Sequence, residues 1–182
     1  MKIKSKSFLR FILIFTIVYL YSKPRYIWWL PTIPVYDNAE AIETYNYAKK
    51  LTRKDYDFFY LTDESVVNAF LPHVFENKDE LHEIEQKVTP IILFFKYLIN
   101  RPRPKQIEEK INTLKSNTAD TPSLPAGHAF QAYYIAKILS KKYPEKKKLL
   151  YKIAHKCDDV RVKAGIHYIS DGQLSKKIVS YL

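Results

Sequence analysis

The sequence predicts an all-α fold in a single compact helical bundle. Glycine is scarce, at 3 of 182 residues. Apolar residues recur mostly at spacings of three and four, which is the period of a helix and not of a strand. Apolar residues make up 47% of the chain and charged residues 27%, a balance typical of a folded protein. A chain of this length can bury one full core.

The charge of the chain indicates an anionic partner. A formal net charge of +11 favours a phosphorylated substrate, an anionic lipid or nucleic acid. The lysine-rich run 141–148 is accompanied by no aromatic stacking platform and no recognised nucleic-acid motif, so we interpret it as a solvated helix face and expect no nucleic acid. The single cysteine, Cys157, excludes an intrachain disulfide, and no Cys/His cluster has zinc spacing. Homo-oligomerisation stays open.

The N-terminus has the layout of an export segment. Residues 1–10 carry four basic side chains, and Phe11–Tyr21 is almost wholly apolar. This layout is typical of a secretory signal peptide or a signal anchor. The run is shorter than the roughly 20 residues of a spanning helix, although Trp28 and Trp29 could extend it as an interfacial aromatic belt. A buried N-terminal core helix is the alternative.

We therefore divide the chain into residues 1–26, a signal peptide or signal anchor, and residues 27–182, the folded domain. Membrane association is expected through residues 8–29. Because the basic end stays in the cytosol, the domain is expected on the non-cytosolic side, either exported or anchored. Whether the segment is cleaved stays open.

The first helices of the domain follow a proline break at Pro31–Pro34. Asp37–Asn38 offers an N-cap for a helix that runs to about Leu51, with Ile42, Tyr45, Tyr47 and Ala48 on its apolar, inward side. Residues 55–60 show no clear period.

Two helical stretches come next. Val66–Leu71 forms a short helix that polar residues cap and Pro72 ends. Residues 77–100 form a helix pair, or one helix interrupted near Pro90. The apolar run Ile91–Ile99 is predicted to be buried and is too short to cross a bilayer.

The C-terminal half is predicted as a loop followed by three helices. Residues 101–124 are polar and proline-containing, which predicts a long surface loop with a helical piece around residues 106–114. Helices then cover Gly127–Ser140 and Glu145–Lys163, and Ser170 caps a last one. The predicted inward stripe of the second of these helices is Leu149, Leu150, Ile153, Cys157 and Val160.

The first stretch with chemical potential contains Lys96 and Arg103. Lys96 ends a buried apolar run, where an unpaired ammonium would be costly, so it needs an anion. Arg103 lies seven residues on, two turns along the same face if the helix continues past Pro102. Arg101 is the rival, but its spacing of five residues rotates it off that face. A lysine snorkelling before a basic loop is the alternative.

The second stretch is Leu124-Pro-Ala-Gly127-His128. A Pro and a Gly just before a helical run place free backbone N–H groups at a helix N-terminus, which is an anion site. Gly127 allows close approach, and His128 in the first turn can pass a proton to a leaving oxygen. A simple helix cap is the alternative.

The third stretch contains Arg161, His167 and Asp171. Arg161 lies beside the buried stripe and also needs an internal anion, and a guanidinium grips phosphate well. His167 follows Gly165, where the helix is expected to end, and Asp171 can accept a hydrogen bond from it. A neutral His of this kind serves as nucleophile or base.

The three stretches, in this order, resemble the three motifs of the type 2 phosphatidic acid phosphatase superfamily. The matching residues are Lys96-x6-Arg103-Pro104, Pro125-Ala-Gly-His128 and Arg161-x5-His167-x3-Asp171. That superfamily includes bacterial class A non-specific acid phosphatases, lipid phosphatases and vanadium haloperoxidases. The resemblance runs from about residue 31 to the C-terminus and implies the helical bundle of that superfamily, here preceded by a hydrophobic segment.

The resemblance implies a role for each site residue. His167 attacks phosphorus to form a phosphohistidine, and Asp171 orients it. His128 protonates the leaving alkoxide and then activates water. No metal or cofactor is required, because matched positive groups do most of the work in phosphoryl transfer. The implied ligands of the phosphoryl oxygens are Lys96, Arg103, Arg161 and the backbone N–H of Gly127.

Two positions depart from the pattern of the superfamily. Ala126 stands where the middle motif usually has Ser, and Val160 stands where the last motif has Ser before its Arg. One lost hydrogen bond to a charged group is worth roughly 1.5–3 kcal/mol. We therefore expect weakened activity rather than none.

Within the superfamily, the sequence favours a phosphatase of the acid phosphatase type. Integral lipid phosphatases resemble six-span membrane proteins, whereas this sequence offers one membrane segment, so we expect metal-independent hydrolysis of phosphomonoesters. A lipid phosphate or pyrophosphate at a membrane surface stays open as a substrate. A non-catalytic phosphate-binding relic is a further hypothesis. A vanadium haloperoxidase is disfavoured, because those enzymes are typically much larger.

Overall fold

The computed structural model describes residues 38–182, and all regular elements in that range are helical. The predicted all-α class is thus confirmed for this part of the chain. Short 3-10 turns cover Leu71–His73 and Pro144–Lys146. The α-helices are α1 (Asn38–Ala48), α2 (Arg53–Asp63), α3 (Val67–Phe70), α4 (Lys78–Gln86), α5 (Thr89–Ile99), α6 (Pro104–Ile107), α7 (Gly127–Lys142), α8 (Lys147–Lys163) and α9 (Ile169–Tyr181).

The predicted signal peptide or anchor, residues 1–26, lies outside the described residues. Among the helices of residues 38–182, none combines the length and the apolar character that a bilayer crossing needs.

The centre of the fold is the pair of consecutive helices α7 and α8, which pack closely on each other. α4, α5 and α9 pack on α7, while α1, α2 and α3 contact α8. Fully buried apolar side chains from both central helices form the core, among them Phe130 and Ile135 of α7 and Leu150 and Cys157 of α8. The first turn of α7, the last turn of α8 and the start of α9 carry Gly127, His128, Arg161 and Asp171, so this core fixes the positions of these four motif residues.

Local capping explains where two helices begin. Asn77 and Glu80 exchange side-chain-to-backbone hydrogen bonds at the start of α4. Thr52 and Asp55 make the same capping box at the start of α2. The second box places residues 55–60, for which no period was evident, inside a regular helix. A Thr followed three residues later by an acidic residue is the signal that predicts this start.

Two predicted inward positions are wrong. Ile42 is 52% exposed, because the buried face of α1 is the one that carries the small residues Ala41 and Thr44. Leu149 is 39% exposed, while the other four members of the α8 stripe are buried. Leu149 lies in the first turn of α8, at the rim of the contact with α7.

The prediction that Ile91–Ile99 is buried is also wrong in part. Only Ile92 and Lys96 of α5 are buried, whereas Phe94 is 62% and Leu98 is 48% exposed. α5 packs against α4 and α7, and residues two positions apart on a helix point to nearly opposite sides. The inner face of α5 therefore carries the lysine, and its outer face is apolar and exposed.

Residues 101–124 differ from the predicted surface loop. Arg101 and Arg103 are almost fully buried, as are Thr121 and Ser123. The helical piece is α6, which is shorter than predicted and begins at Pro104. The two arginines and the two hydroxyl residues turn inward because each finds polar partners there, as described below.

The start of α9 also differs from the prediction. Its N-cap is Tyr168, and the Asp171 carboxylate accepts the backbone N–H of that residue at 3.0 Å. Ser170, the predicted cap, lies inside the helix. The Asp171 carboxylate therefore also caps the N-terminus of α9, the helix that carries it.

Candidate functional site

A left-handed turn, and not a continuous helix, brings Arg103 back toward Lys96. α5 ends at Ile99, and Asn100 adopts φ 50°, which reverses the chain. The predicted geometry of two turns along one helix face is thus wrong. The two side chains still converge, since the charge of Arg103 contributes to lowering the pKa of Lys96.

Arg103 is fixed by three backbone carbonyls on two segments of the chain. Its Nε donates to the carbonyl of Thr121 at 2.8 Å, and its Nη1 donates to that of Ile166 at 2.7 Å. Its Nη2 contacts the carbonyl of Thr118 at 3.3 Å. The same Nη1 lies 2.9 Å from Nε2 of His167. Burial lowers the pKa of Arg103 to about 10, so it remains cationic at neutral pH.

His167 lies between Arg103 and Asp171. Its Nδ1 is 2.9 Å from Oδ2 of Asp171. A guanidinium has only donors and a carboxylate only acceptors, so these contacts assign the proton to Nδ1 and the lone pair to Nε2. Burial and the charge of Arg103 lower the pKa of His167 to about 3. The ring is therefore neutral, with its nucleophilic nitrogen directed at a cation.

The Asp171 carboxylate is fully buried and densely hydrogen-bonded. Oδ2 accepts from His167, from the backbone of Tyr168 and from the hydroxyl of Ser123, and Oδ1 accepts from Arg101 at 2.6 Å. Burial by itself would raise the pKa of Asp171, but these donors and the charge of Arg101 hold it well below its usual value. Asp171 is thus a fixed anion.

His128 lies close to the other motif residues. It is 7% exposed, and its Nε2 is 3.0 Å from the carbonyl of Asp63. That carbonyl can only accept, so Nδ1 is the nitrogen with the lone pair in the neutral ring. Burial lowers its pKa well below the usual value, and the nearby charge of Arg161 lowers it further.

Arg161 is fully buried beside Asp63. Nη1 lies 3.2 Å from the Asp63 carboxylate, Nη2 donates to the hydroxyl of Thr62 at 2.9 Å, and the guanidinium lies 4.4 Å from the ring centre of Phe59. Burial lowers its pKa to about 10. Its buried Nε has no hydrogen-bond partner among the described residues. One donor of this cation is thus available to an acceptor.

Lys96 and the N-terminus of α7 form the remaining side. Lys96 is 4% exposed and donates to the carbonyl of Pro122. Within residues 39–182, no carboxylate lies within 4 Å of Lys96 or Arg103. A Cβ on Gly127 would lie 3.8 Å from Cε of Lys96, so the first turn of α7 adjoins the ammonium. The N-cap, Ala126, offers no side-chain acceptor to that turn.

The seven residues predicted for the site therefore come together from three parts of the chain. Burial lowers the pKa of Lys96 well below its usual value, and an anion bound nearby would favour the charged form of this amine. Both departures from the motifs, Ala126 and Val160, are fully buried.

Sequence reasoning missed several residues that support this site. Asp63 connects His128 with Arg161, and Ser123 and Arg101 bind Asp171. Glu40 in turn binds Arg101. Asp63 and Glu40 are far in sequence from the motifs, and no local pattern marks them. Arg101 was visible as the rival of Arg103, and a second buried arginine could have been assigned a carboxylate partner.

A cavity of about 770 Å³ adjoins the site. Arg103 lines the cavity and also belongs to the site. Gly165 and Ile166, which directly precede His167, line the cavity as well. Its other lining residues come from α6 and from the loop that follows α6, and most are polar or charged. They are Lys105, Gln106, Thr113, Leu114, Lys115, Ser116, Ala119 and Asp120.

The chain has no match among protein-family models or curated proteins. Among the described residues, no group of three or more His, Cys, Asp or Glu side chains is placed to hold a metal ion.

Proposed function

We propose that this protein is a phosphatase of the type 2 phosphatidic acid phosphatase superfamily, of the acid phosphatase kind, that hydrolyses phosphomonoesters through a phosphohistidine on His167. One observation carries the proposal: a neutral buried imidazole is fixed between Asp171 and Arg103, and two further buried cations converge on the same place. Such an arrangement matches the charge that develops on a transferring phosphoryl group.

The first chemical step is attack by Nε2 of His167 on phosphorus. The N–P bond forms as the bond from phosphorus to the leaving oxygen breaks, and the Nδ1 proton stays on His167 in its hydrogen bond to Asp171. The Nη1–H of Arg103 turns from Nε2 to a phosphoryl oxygen. Lys96 and the unpartnered Nε of Arg161 donate to the others, together with the N-terminus of α7.

His128 transfers a proton in both steps, as the acid in the first and as the base in the second. Its pKa is low in the buried cationic surroundings, and the negative charge of a bound phosphate ester raises it. The protonated ring gives its Nδ1 proton to the leaving alkoxide. The neutral ring then takes a proton from the water that attacks phosphorus, the N–P bond breaks, and phosphate leaves.

The polar lining of the adjoining cavity favours a polar leaving group over acyl chains. Lys105 and Lys115 supply positive charge there, and Gln106 and Ser116 supply hydrogen-bonding groups. A lipid phosphate or pyrophosphate at a membrane surface is the second candidate, and the exposed Phe94 and Leu98 of α5 are the observation in its favour.

A metal-independent assay tests the proposal. We expect the full-length protein to hydrolyse p-nitrophenyl phosphate in EDTA between acidic and neutral pH, with inhibition by vanadate and loss of turnover in His167→Ala. Parallel assays on phosphatidic acid vesicles decide between the two substrate classes. Tight phosphate binding without turnover on any ester would instead establish a non-catalytic phosphate-binding protein.

We further propose that residues 1–26 direct the domain to the non-cytosolic side of a membrane. The basic residues followed by an apolar run support this. N-terminal sequencing of the native protein distinguishes a cleaved signal from a retained anchor, and an intact N-terminus on a cytosolic protein would contradict both.

A further inference from the structure

Arg101 is a buried cation that the phosphoryl chemistry proposed above does not use. It is 2% exposed and lies between two carboxylates. Nη1 is 2.6 Å from Oδ1 of Asp171, and Nη2 is 2.5 Å from Oε2 of Glu40. A guanidinium that bridges two carboxylates in this way is a rigid connection, because its donors have a fixed planar geometry.

Further contacts restrict the same side chain. The guanidinium lies 3.7 Å from the ring centre of Tyr168, and Nη1 also donates to the hydroxyl of Ser170 at 2.7 Å. The carbonyl of Arg101 accepts the backbone N–H of Ser123 at 2.8 Å. Both the head and the backbone of Arg101 are thus tied to residues that surround Asp171.

The two oxygens of Asp171 have different partners. Oδ2 accepts from His167, and Oδ1 accepts from Arg101. Rotation of the carboxylate would break the contact with the guanidinium, so Arg101 fixes the position of Oδ2 together with its donors Tyr168 and Ser123. The position of Oδ2 in turn determines the orientation of the imidazole and which ring nitrogen carries the proton.

Glu40 extends this arrangement to α1. Its Oε2 binds Arg101, and its Oε1 accepts the backbone N–H of Ser170 at 3.0 Å. Ser170 lies in the first turn of α9, one residue before Asp171. Glu40 therefore holds both the guanidinium and the helix turn that presents the carboxylate.

We propose that Arg101, held by Glu40, is a positioning residue that orients Asp171 and thereby keeps His167 in the tautomer whose Nε2 lone pair faces the phosphoryl group. The kinetic consequence rests on the proposed phosphatase function, whereas the effect on the His167 tautomer does not. Arg101 is thereby distinct from Arg103: one proline separates them in sequence, but Arg101 binds the carboxylate and Arg103 contacts the imidazole.

The kinetic test compares Arg101→Met, Arg101→Lys and Glu40→Gln in the full-length protein with p-nitrophenyl phosphate as substrate. Arg101→Met is expected to lower kcat about 10- to 100-fold, since small misplacements of reacting groups have effects of this size. KM is expected to change less than about threefold, because Arg101 does not contact the phosphoryl group. Arg101→Lys restores a charge and is expected to recover part of kcat, and Glu40→Gln is expected to have the smallest effect.

Arg53→Met is the matched control. Arg53 pairs with Asp57 at 3.1 Å on the surface, with its side chain 82% exposed. Its replacement removes an arginine–aspartate pair of the same kind without approaching the site, and both kcat and KM are expected to be unchanged.

Nitrogen-15 NMR of the histidine rings provides a readout that does not depend on turnover. The wild type is expected to show His167 protonated at Nδ1, and Arg101→Met is expected to shift it toward a mixture of tautomers. An unchanged tautomer and an unchanged kcat in Arg101→Met would overturn the proposal. A raised KM with unchanged kcat would also overturn it, by making Arg101 a phosphate ligand.

If Arg101→Met does not fold, Arg101→Lys and Glu40→Gln decide the question by the same two measurements. A wild type without any turnover would refute the phosphatase function alone, since the NMR comparison would still test the positioning role.

Discussion

Nη1 of Arg103 lies 2.9 Å from Nε2 of His167, so the guanidinium donates a hydrogen bond to the lone pair that the proposed reaction uses. This contact joins the first sequence motif to the last. It also fixes the tautomer of the ring, because Asp171 binds the opposite nitrogen. A phosphoryl group that enters the site replaces one acceptor of the guanidinium by another, without any new charge on the protein.

Replacing Arg103 by Met is expected to weaken both binding and turnover. The variant loses a buried donor to the phosphoryl oxygens, and the loss of one such donor lowers kcat by about 100-fold or more. Isothermal titration with vanadate and kinetics with p-nitrophenyl phosphate measure the two effects. The affinity for vanadate is expected to fall in Arg103→Met and to stay nearly unchanged in Arg101→Met. Loss confined to Arg101→Met would show that the two arginines have exchanged roles.

Restoring the hydroxyl at position 126 is expected to raise activity. Ala126 is the N-cap of α7 and carries no acceptor for the first turn. In Ala126→Ser the hydroxyl is expected to donate to a phosphoryl oxygen, and a hydrogen bond to a charged group is worth roughly 1.5–3 kcal/mol, which corresponds to at least about tenfold in kcat/KM. Ala126→Val, which adds bulk without a hydroxyl, is the control. Equal or lower activity in the Ser variant would place position 126 away from the phosphate.

Replacing His167 by Asn is expected to reduce the loss of stability in acid. The pKa of His167 is about 3 in the folded protein and about 6.5 in an unfolded chain. Between these values the unfolded state binds a proton that the native state does not, so this group lowers the free energy of unfolding by about 1.4 kcal/mol for each unit that the pH falls. Asn keeps an N–H donor for Asp171 but does not titrate.

Urea unfolding at pH 6, 5 and 4 in phosphate-free buffer measures this effect. The slope of stability against pH should be less steep in His167→Asn by about 1.4 kcal/mol per unit. Asn117→Ala, at an exposed position without a titrating group, controls for the effect of a substitution as such. Identical slopes in wild type and His167→Asn would mean that the imidazole is not held neutral.

The cavity predicts a preference for leaving groups with a negative charge. Lys105 and Lys115 line it and are exposed, so a second anionic group on the substrate can pair with them. We expect Lys105→Met/Lys115→Met to lower kcat/KM for a phosphorylated sugar acid severalfold and to leave p-nitrophenyl phosphate unaffected. Lys148→Met, at an exposed lysine outside the cavity, is the control. Equal losses on both substrates would exclude a role of the cavity in selectivity.

Much of the fold and of the site was predictable because it depends on local patterns. The 3.6-residue period located the central helices, and the spacing of four between His167 and Asp171 placed their side chains in contact. Chain reversals depend on tertiary partners, so the turn at Asn100 and the inward path of Arg101 and Arg103 were not predictable. The same holds for Glu40, whose role exists only because α1 packs beside the start of α9.

The burial errors have a related cause. A continuous apolar run such as Ile91–Ile99 shows no preferred face, and only the positions of α4 and α7 decide that Lys96 points inward and Phe94 outward. At α1 the small residues Ala41 and Thr44 are buried in place of Ile42, because close approach to α8 and α6 requires small side chains.

Trapping the phosphorylated enzyme tests the central claim most directly. Full-length protein is mixed with excess p-nitrophenyl phosphate, quenched in alkaline denaturant to preserve phosphohistidine, and analysed by peptide mass spectrometry. We predict one phosphoryl group on the peptide that contains His167, absent in His167→Asn and increased in His128→Ala when the leaving group needs no proton. Turnover with no phosphoryl group on His167, or with one on another residue, would contradict the mechanism.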